Sequence, residues 1–141
     1  MRRLIVPLAL IACAAAPRPA ADEDPSAPLA PGTYAYTLRH GDRDRSYRVH
    51  VPPLARAGRP LPVVVNFHGG GGYAEYHETH THMDAVADRE GFLAVYPDGT
   101  GRRRHRLLTF NAGSCCGYAA EHRVDDVIEG EEAVEIGRAH V

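Results

Sequence analysis

The chain of 141 residues has no lysine; all 16 basic side chains are arginine, against 18 acidic ones, for a net charge of −2. So even a balance gives no reason to expect a nucleic-acid partner or an anionic surface. Arginine without lysine, beside many Ala, Gly and Pro, reflects a GC-rich coding sequence rather than a binding site. No apolar run approaches the ~20 residues of a permanent membrane span. Neither GxGxxG nor GK[ST] occurs, which argues against a phosphate-cradling loop. Serine is confined to Ser26, Ser46 and Ser114. Ser114 lacks glycine two residues before and two after, so the strained strand-to-helix elbow that exposes a nucleophilic hydroxyl is not encoded there. A zinc helix of the HExxH kind is missing too. His77 and Glu78 start such a string, but the next histidine stands at 80 rather than 81. A zinc site on His77, His80 and His82 therefore remains only an alternative to a solvated helix entrance, and no metal or other cofactor is expected.

What is present begins with an address. Arg2 and Arg3 precede an apolar run from Leu4 to Ala16, the layout of a secretory signal over residues 1–16. Leu10, Ile11, Ala12 and Cys13 resemble a bacterial lipobox, which makes Cys13 the candidate for lipidation; cleavage near Ala14 to Ala16 is the other reading. The expected location is exported, either extracellular or held at a membrane by that lipid alone. Residues 17–31 are rich in Pro, Ala and acid, with little to bury, and are expected to form a disordered leader.

From residue 32 the pattern becomes that of a folded domain, expected to extend to residue 130. Thr33 to Leu38 and Ser46 to Val51 alternate about a turn at His40, Gly41 and Asp42, which predicts a β-hairpin closed by Pro52 and Pro53. Val63 to Phe67 is a nearly unbroken apolar run, predicting a strand covered on both faces in the middle of a sheet. A helix is predicted from about Thr81 to Glu90, with Met83, Val86 and Ala87 on one face and Gly91 as its cap. Phe92 to Tyr96 reads as a second buried strand, Pro97 to Gly99 as its turn, and Asp125 or Asp126 as the cap of a last helix. An antiparallel hairpin followed by parallel strands with a crossover helix gives an α/β class with a mixed sheet.

His68 followed by Gly69 to Gly72, directly after a buried strand, carries the chemical signal. Glycine permits a sharp turn and close backbone approach to a ligand, so main-chain N–H groups can point into a cleft at the strand's carboxyl end. Such donors suit the oxyanion of a tetrahedral acyl intermediate; a glycine turn without a catalytic role is the plain alternative. The segments PVVVNFHGGGG, ADREGFLAVYPDG and NAGSCCGYAAEHRVDDV, in that order, resemble the polyhydroxybutyrate depolymerase and feruloyl esterase group of α/β-hydrolases over roughly residues 46–127. That resemblance implies an α/β-hydrolase sheet, serine-dependent hydrolysis of carboxylic esters of polyesters or plant-wall polysaccharides, oxyanion donors at Gly69, Gly70 and Gly71, and a structural His68. Its serine, acid and base lie beyond the motifs present, so no catalytic residue is assigned, and the chain is expected to be an inactive N-terminal fragment truncated before the nucleophile elbow. Residues 131–141 are expected to be a non-native tail, because Ile136 to Val141 resembles a translated sequencing adapter. A lipid-anchored ligand-binding module without catalysis is the reading from another class. Cys115 and Cys116 are disulfide candidates. Adjacent α-carbons ~3.8 Å apart are too close for an unstrained bond, so at least one is expected to pair elsewhere. Asp125 and Asp126, adjacent on a helix, do not face each other as a catalytic carboxylate pair must.

Overall fold

The computed structural model describes residues 29–55, 59–103 and 106–126. The expected signal with Cys13, most of the leader and the expected tail lie outside the described residues. The hairpin is longer than its alternating core suggests: β1 (Gly32–His40) pairs antiparallel with β2 (Arg43–Val51) along their full lengths, joined by Gly41 and Asp42 alone. Then come β3 (Val63–Val65), helices α1 (Ala74–Thr81) and α2 (Met83–Glu90), β4 (Leu93–Pro97) and the short α3 (Gly117–Glu121). The sheet order is β1-β2-β4-β3, antiparallel between β2 and β4 and parallel between β3 and β4. The chain is therefore an α/β structure with a mixed sheet, as its patterning predicts.

Strand periodicity sorts the side chains into two layers. Val49 opposes Val95 in the register, and Tyr47, Val49, Val51, Leu93 and Val95 form one buried cluster, with Tyr34, Tyr36, Leu38, Val63 and Val65 around it. Ala94 and Tyr96 face the other way and pack with Ala74 of α1 and Ala87 of α2. Each large side chain buried in this way stabilises the fold by about 1.5–3 kcal/mol.

Two predicted elements change. The strand covered on both faces is β4, buried at every position. β3 spans three residues, lies at the edge of the described sheet, and leaves Val64 at 36% and Phe67 at 47% exposure. An apolar run reports burial in a sheet without saying which strand is central. The helix predicted from about Thr81 to Glu90 is α2, starting two residues later, and a second helix, α1, precedes it, parted from it at His82, whose backbone is left-handed (φ 53°). Helix α1 escapes the sequence because it has no apolar stripe: only Ala74 and Glu78 are buried. It docks by charge, the Glu78 carboxylate accepting from the Arg48 guanidinium of β2. Helix α2 docks similarly: Asp88 lies 2.7 Å from His50 Nε2 and Asp84 accepts the Tyr96 hydroxyl at 2.6 Å. Burial and the Asp84 carboxylate push the Tyr96 phenol upward, so it remains a donor. The Gly91 cap is as predicted, its N–H meeting Ala87 O at 2.8 Å.

Candidate functional site

Residues 69–72 form a β-turn at the carboxyl end of β3. Gly72 N–H bonds to Gly69 O at 3.0 Å, and Gly71, third of the four, has φ +86°. That sign of φ at the third position defines a type II turn and calls for glycine. The turn divides the three candidate donors. Gly71 N–H is occupied by Leu108 O at 2.8 Å. Gly69 and Gly70 are exposed, and their N–H groups make no hydrogen bond among the described residues. A Cβ placed on either would meet nothing within 4 Å, so there is free space beside both α-carbons.

His68 is 5% exposed, and both its ring nitrogens are engaged. Nδ1 lies 2.8 Å from Gly69 O and Nε2 accepts Gly99 N–H at 3.0 Å. A carbonyl can only accept and an amide N–H can only donate, so the ring carries its proton on Nδ1 and none on Nε2. With no nitrogen left for a substrate, His68 positions the turn against the end of β4. Phe110 packs on its ring at 4.6 Å and meets Phe67 edge-on at 5.1 Å. Leu107, 73% exposed, has Cδ2 3.8 Å from where a Gly71 Cβ would stand. The ground around the free donors is thus apolar.

The carboxylate that organises this corner is Asp98, which sequence reasoning assigned only to a turn. Tyr73 at the N-cap of α1 provides no side-chain bond. Asp98 Oδ1 instead accepts Ala74 N–H at 2.7 Å, placing negative charge where the helix dipole favours it, while Oδ2 accepts the Ser46 hydroxyl at 2.7 Å. Ser46 is therefore committed to structure. Gly99 is required by close approach, since a Cβ there would stand 2.6 Å from Thr109 O.

Asp126 does not cap a helix in the described residues. It is buried against Arg45 of β2 and accepts Asn111 N–H at 2.5 Å, while Asn111 Nδ2 donates to Val124 O at 2.9 Å. Arg45 also reaches Thr100 Oγ1 at 2.6 Å. The third sequence motif thus ties its loop to the sheet through a buried ion pair, and Asp125 stays exposed. The cysteines differ from expectation as well. Cys115 and Cys116 are joined to each other across a cis peptide, with Cα atoms 3.1 Å apart, so the trans spacing behind the expected outside partner does not apply.

The three histidines raised as zinc ligands are not gathered. His77 Nε2 bonds to Asn66 Oδ1 at 2.9 Å, His80 stacks on Tyr76 at 3.7 Å, and His82 is the left-handed hinge between the helices. Among the described residues no three His, Cys, Asp or Glu side chains form a metal-sized group. Burial holds the His77 imidazole below its ordinary range.

No protein-family model matches the chain. Over 60 residues it is 45% identical to a Nocardia uniformis subsp. tsuyamanensis protein named "Putative esterase NocK", an alignment that covers 40% of this chain and 17% of that protein. A solved ferulic acid esterase superposes with a TM-score of 0.49 at 18% identity, covering 72% of this chain and 43% of the other. The chain thus spans less than half the length of each.

Proposed function

We propose that the chain carries the oxyanion-binding segment of an exported serine carboxylesterase. The observation that carries this reading is the pair of N–H groups at Gly69 and Gly70, without a partner among the described residues and held beyond the carboxyl end of a parallel strand by a turn whose other donors are occupied. The local identity to an esterase-named protein supports it. In this reading a serine hydroxyl outside the present motifs attacks the ester carbonyl and a histidine takes its proton. The negative charge that develops on the carbonyl oxygen is received by Gly69 and Gly70, with Gly71 in the supporting role of fixing the turn. Phe67, Phe110 and Leu107 form apolar ground for an acyl group. The ester belongs to a polyester or a plant-wall polysaccharide. None of the described serines acts, so the 141-residue chain alone is expected to leave p-nitrophenyl acetate at its background rate.

Gly70 occupies the second position of the type II turn, where proline is well tolerated. In the protein encoded by the whole native reading frame, Gly70→Pro deletes one donor and keeps the turn. Its kcat on p-nitrophenyl acetate should fall about 10²–10³-fold, with stability unchanged or raised by about 0.4–1 kcal/mol. Full activity in a folded Gly70→Pro protein would remove this donor from the mechanism. Export belongs to the same proposal. Fatty-acid labelling in cells distinguishes lipid attachment at Cys13 from cleavage near Ala14 to Ala16.

A further inference from the structure

Whole-chain charge balance conceals a local excess on the ribbon that follows β4. Thr100 and Thr109 bridge antiparallel through bonds of 2.8 and 3.0 Å, and further out Arg103 bridges Arg106. Directly opposed residues on such a ribbon share a face, with Cβ atoms about 4.5–5.5 Å apart, and like charges there are destabilising. Arg102, Arg103 and Arg106 are all exposed, and none has a carboxylate or other partner among the described residues. Arg39 meets Asp44, Arg45 meets Asp126, Arg48 meets Glu78 and Arg89 meets Glu90, while Arg59 and Arg123 also lack a carboxylate among the described residues but stand singly, with no second guanidinium bridged opposite them. An opposed pair with no match among the described residues, on a stem bonded to the glycine turn through Leu108, is a local conflict of the kind expected at functional or strained sites.

We propose that Arg102, Arg103 and Arg106 bind a carboxylate-bearing polymer, whose successive carboxylates bridge the opposed guanidinium groups. The planar guanidinium fork matches a carboxylate with two parallel hydrogen bonds. The surroundings favour a chain-like ligand. Arg103 and Arg43 line a concave cavity of ≈ 710 Å³ that runs from the ribbon onto β2. Of the carboxylates in that cavity, Asp44 meets Arg39, Asp42 lies 3.8 Å from Arg43 and Asp98 accepts from Ser46 and Ala74 N–H, which leaves Glu75 as the one lining carboxylate without a partner among the described residues. A bilayer is disfavoured because Leu107, the exposed apolar residue on this ribbon, lies over Gly71 rather than beyond the arginines as a wedge would. The site stands apart from the ester chemistry, although its stem holds the same turn.

The test is calorimetric titration of the full 141-residue chain with polygalacturonate, with fully methyl-esterified polygalacturonate as the neutral control. Binding to the acid polymer alone is expected, weakening about tenfold as salt rises from about 50 to about 200 mM. Arg102→Ala, Arg103→Ala and Arg106→Ala together should weaken it at least about tenfold, with the unfolding midpoint unchanged or raised, since the like-charge opposition is gone. Arg103→Lys with Arg106→Lys keeps the charge but loses the fork, and should bind more weakly than the parent. Undiminished binding by the alanine variant, equal binding of the neutral polymer, or binding to phosphatidylglycerol vesicles without binding to polygalacturonate would each overturn the proposal. Because the readout is binding, loss of the esterase reading leaves this test standing.

Discussion

β3, three valines, and β4, Leu-Ala-Val-Tyr-Pro, are both short apolar runs, yet occupy opposite situations. β4 is hydrogen-bonded on both sides and buried at every position, whereas β3 pairs only with β4 among the described residues and leaves Val64 partly open. Stability is built around β4, through its two clusters and the polar contacts that dock α1 and α2 beside it. The candidate chemistry sits beyond β3, where the backbone emerges with free donors. Residues that bind or react need open space, and open space is what a core strand lacks.

The sharpest test of this contrast is a matched pair of valine truncations followed by urea unfolding. Val95→Ala, at a site with 0% exposure, should cost about 1.5–3 kcal/mol, and Val64→Ala less than about 0.5 kcal/mol. Equal losses would mean that β3 is as covered as β4. A smaller effect concerns the far side of β3, whose backbone pairs with no strand among the described residues and is open to a second copy. Concentration-dependent self-association is expected in sedimentation, and Val64→Lys should reduce it; a monomer at every concentration would refute this. The smallest effect is on pH dependence. The folded His77 value lies below the unfolded 6.5, so the unfolded chain takes up a proton first as pH falls. Its contribution is intact above that value and is lost as pH drops through the lower, folded one. The urea midpoint should therefore fall more between about pH 7.5 and about pH 5 in the parent than in His77→Gln, and identical falls would remove His77 as a source.

The hairpin, β4 and the Gly91 cap are legible in the sequence because each rests on a local rule: alternation, a short apolar run, a glycine after a helix. Helix α1 is not, since it is polar on nearly every side and held by two carboxylates, its own Glu78 and the distant Asp98 at its start. The Arg45 to Asp126 pair spans 81 residues and the Ser46 to Asp98 bond 52, separations that leave no periodic trace. The candidate site divides in the same way. The glycines announce a turn and the strand before them gives its place, but that Gly71 is occupied while Gly70 is open follows from the Leu108 carbonyl, which no local pattern predicts. The ribbon arginines are visible as a charged run, but their opposition is not.

Four consecutive glycines have no side chains with which to hold a shape of their own. The form of the 69–72 turn is imposed from three directions: the Leu108 carbonyl on one flank, the His68 ring beneath it, and the Asp98 carboxylate that fixes where α1 begins. All three answer to the segment that leaves β4, since Gly99 holds the ring, Asp98 lies beside it, and Leu108 closes the same ribbon. The turn is thus a cast taken from its neighbour, and damage to the 98–109 segment should blur the donors at Gly69 and Gly70 while every residue of the turn itself is left in place.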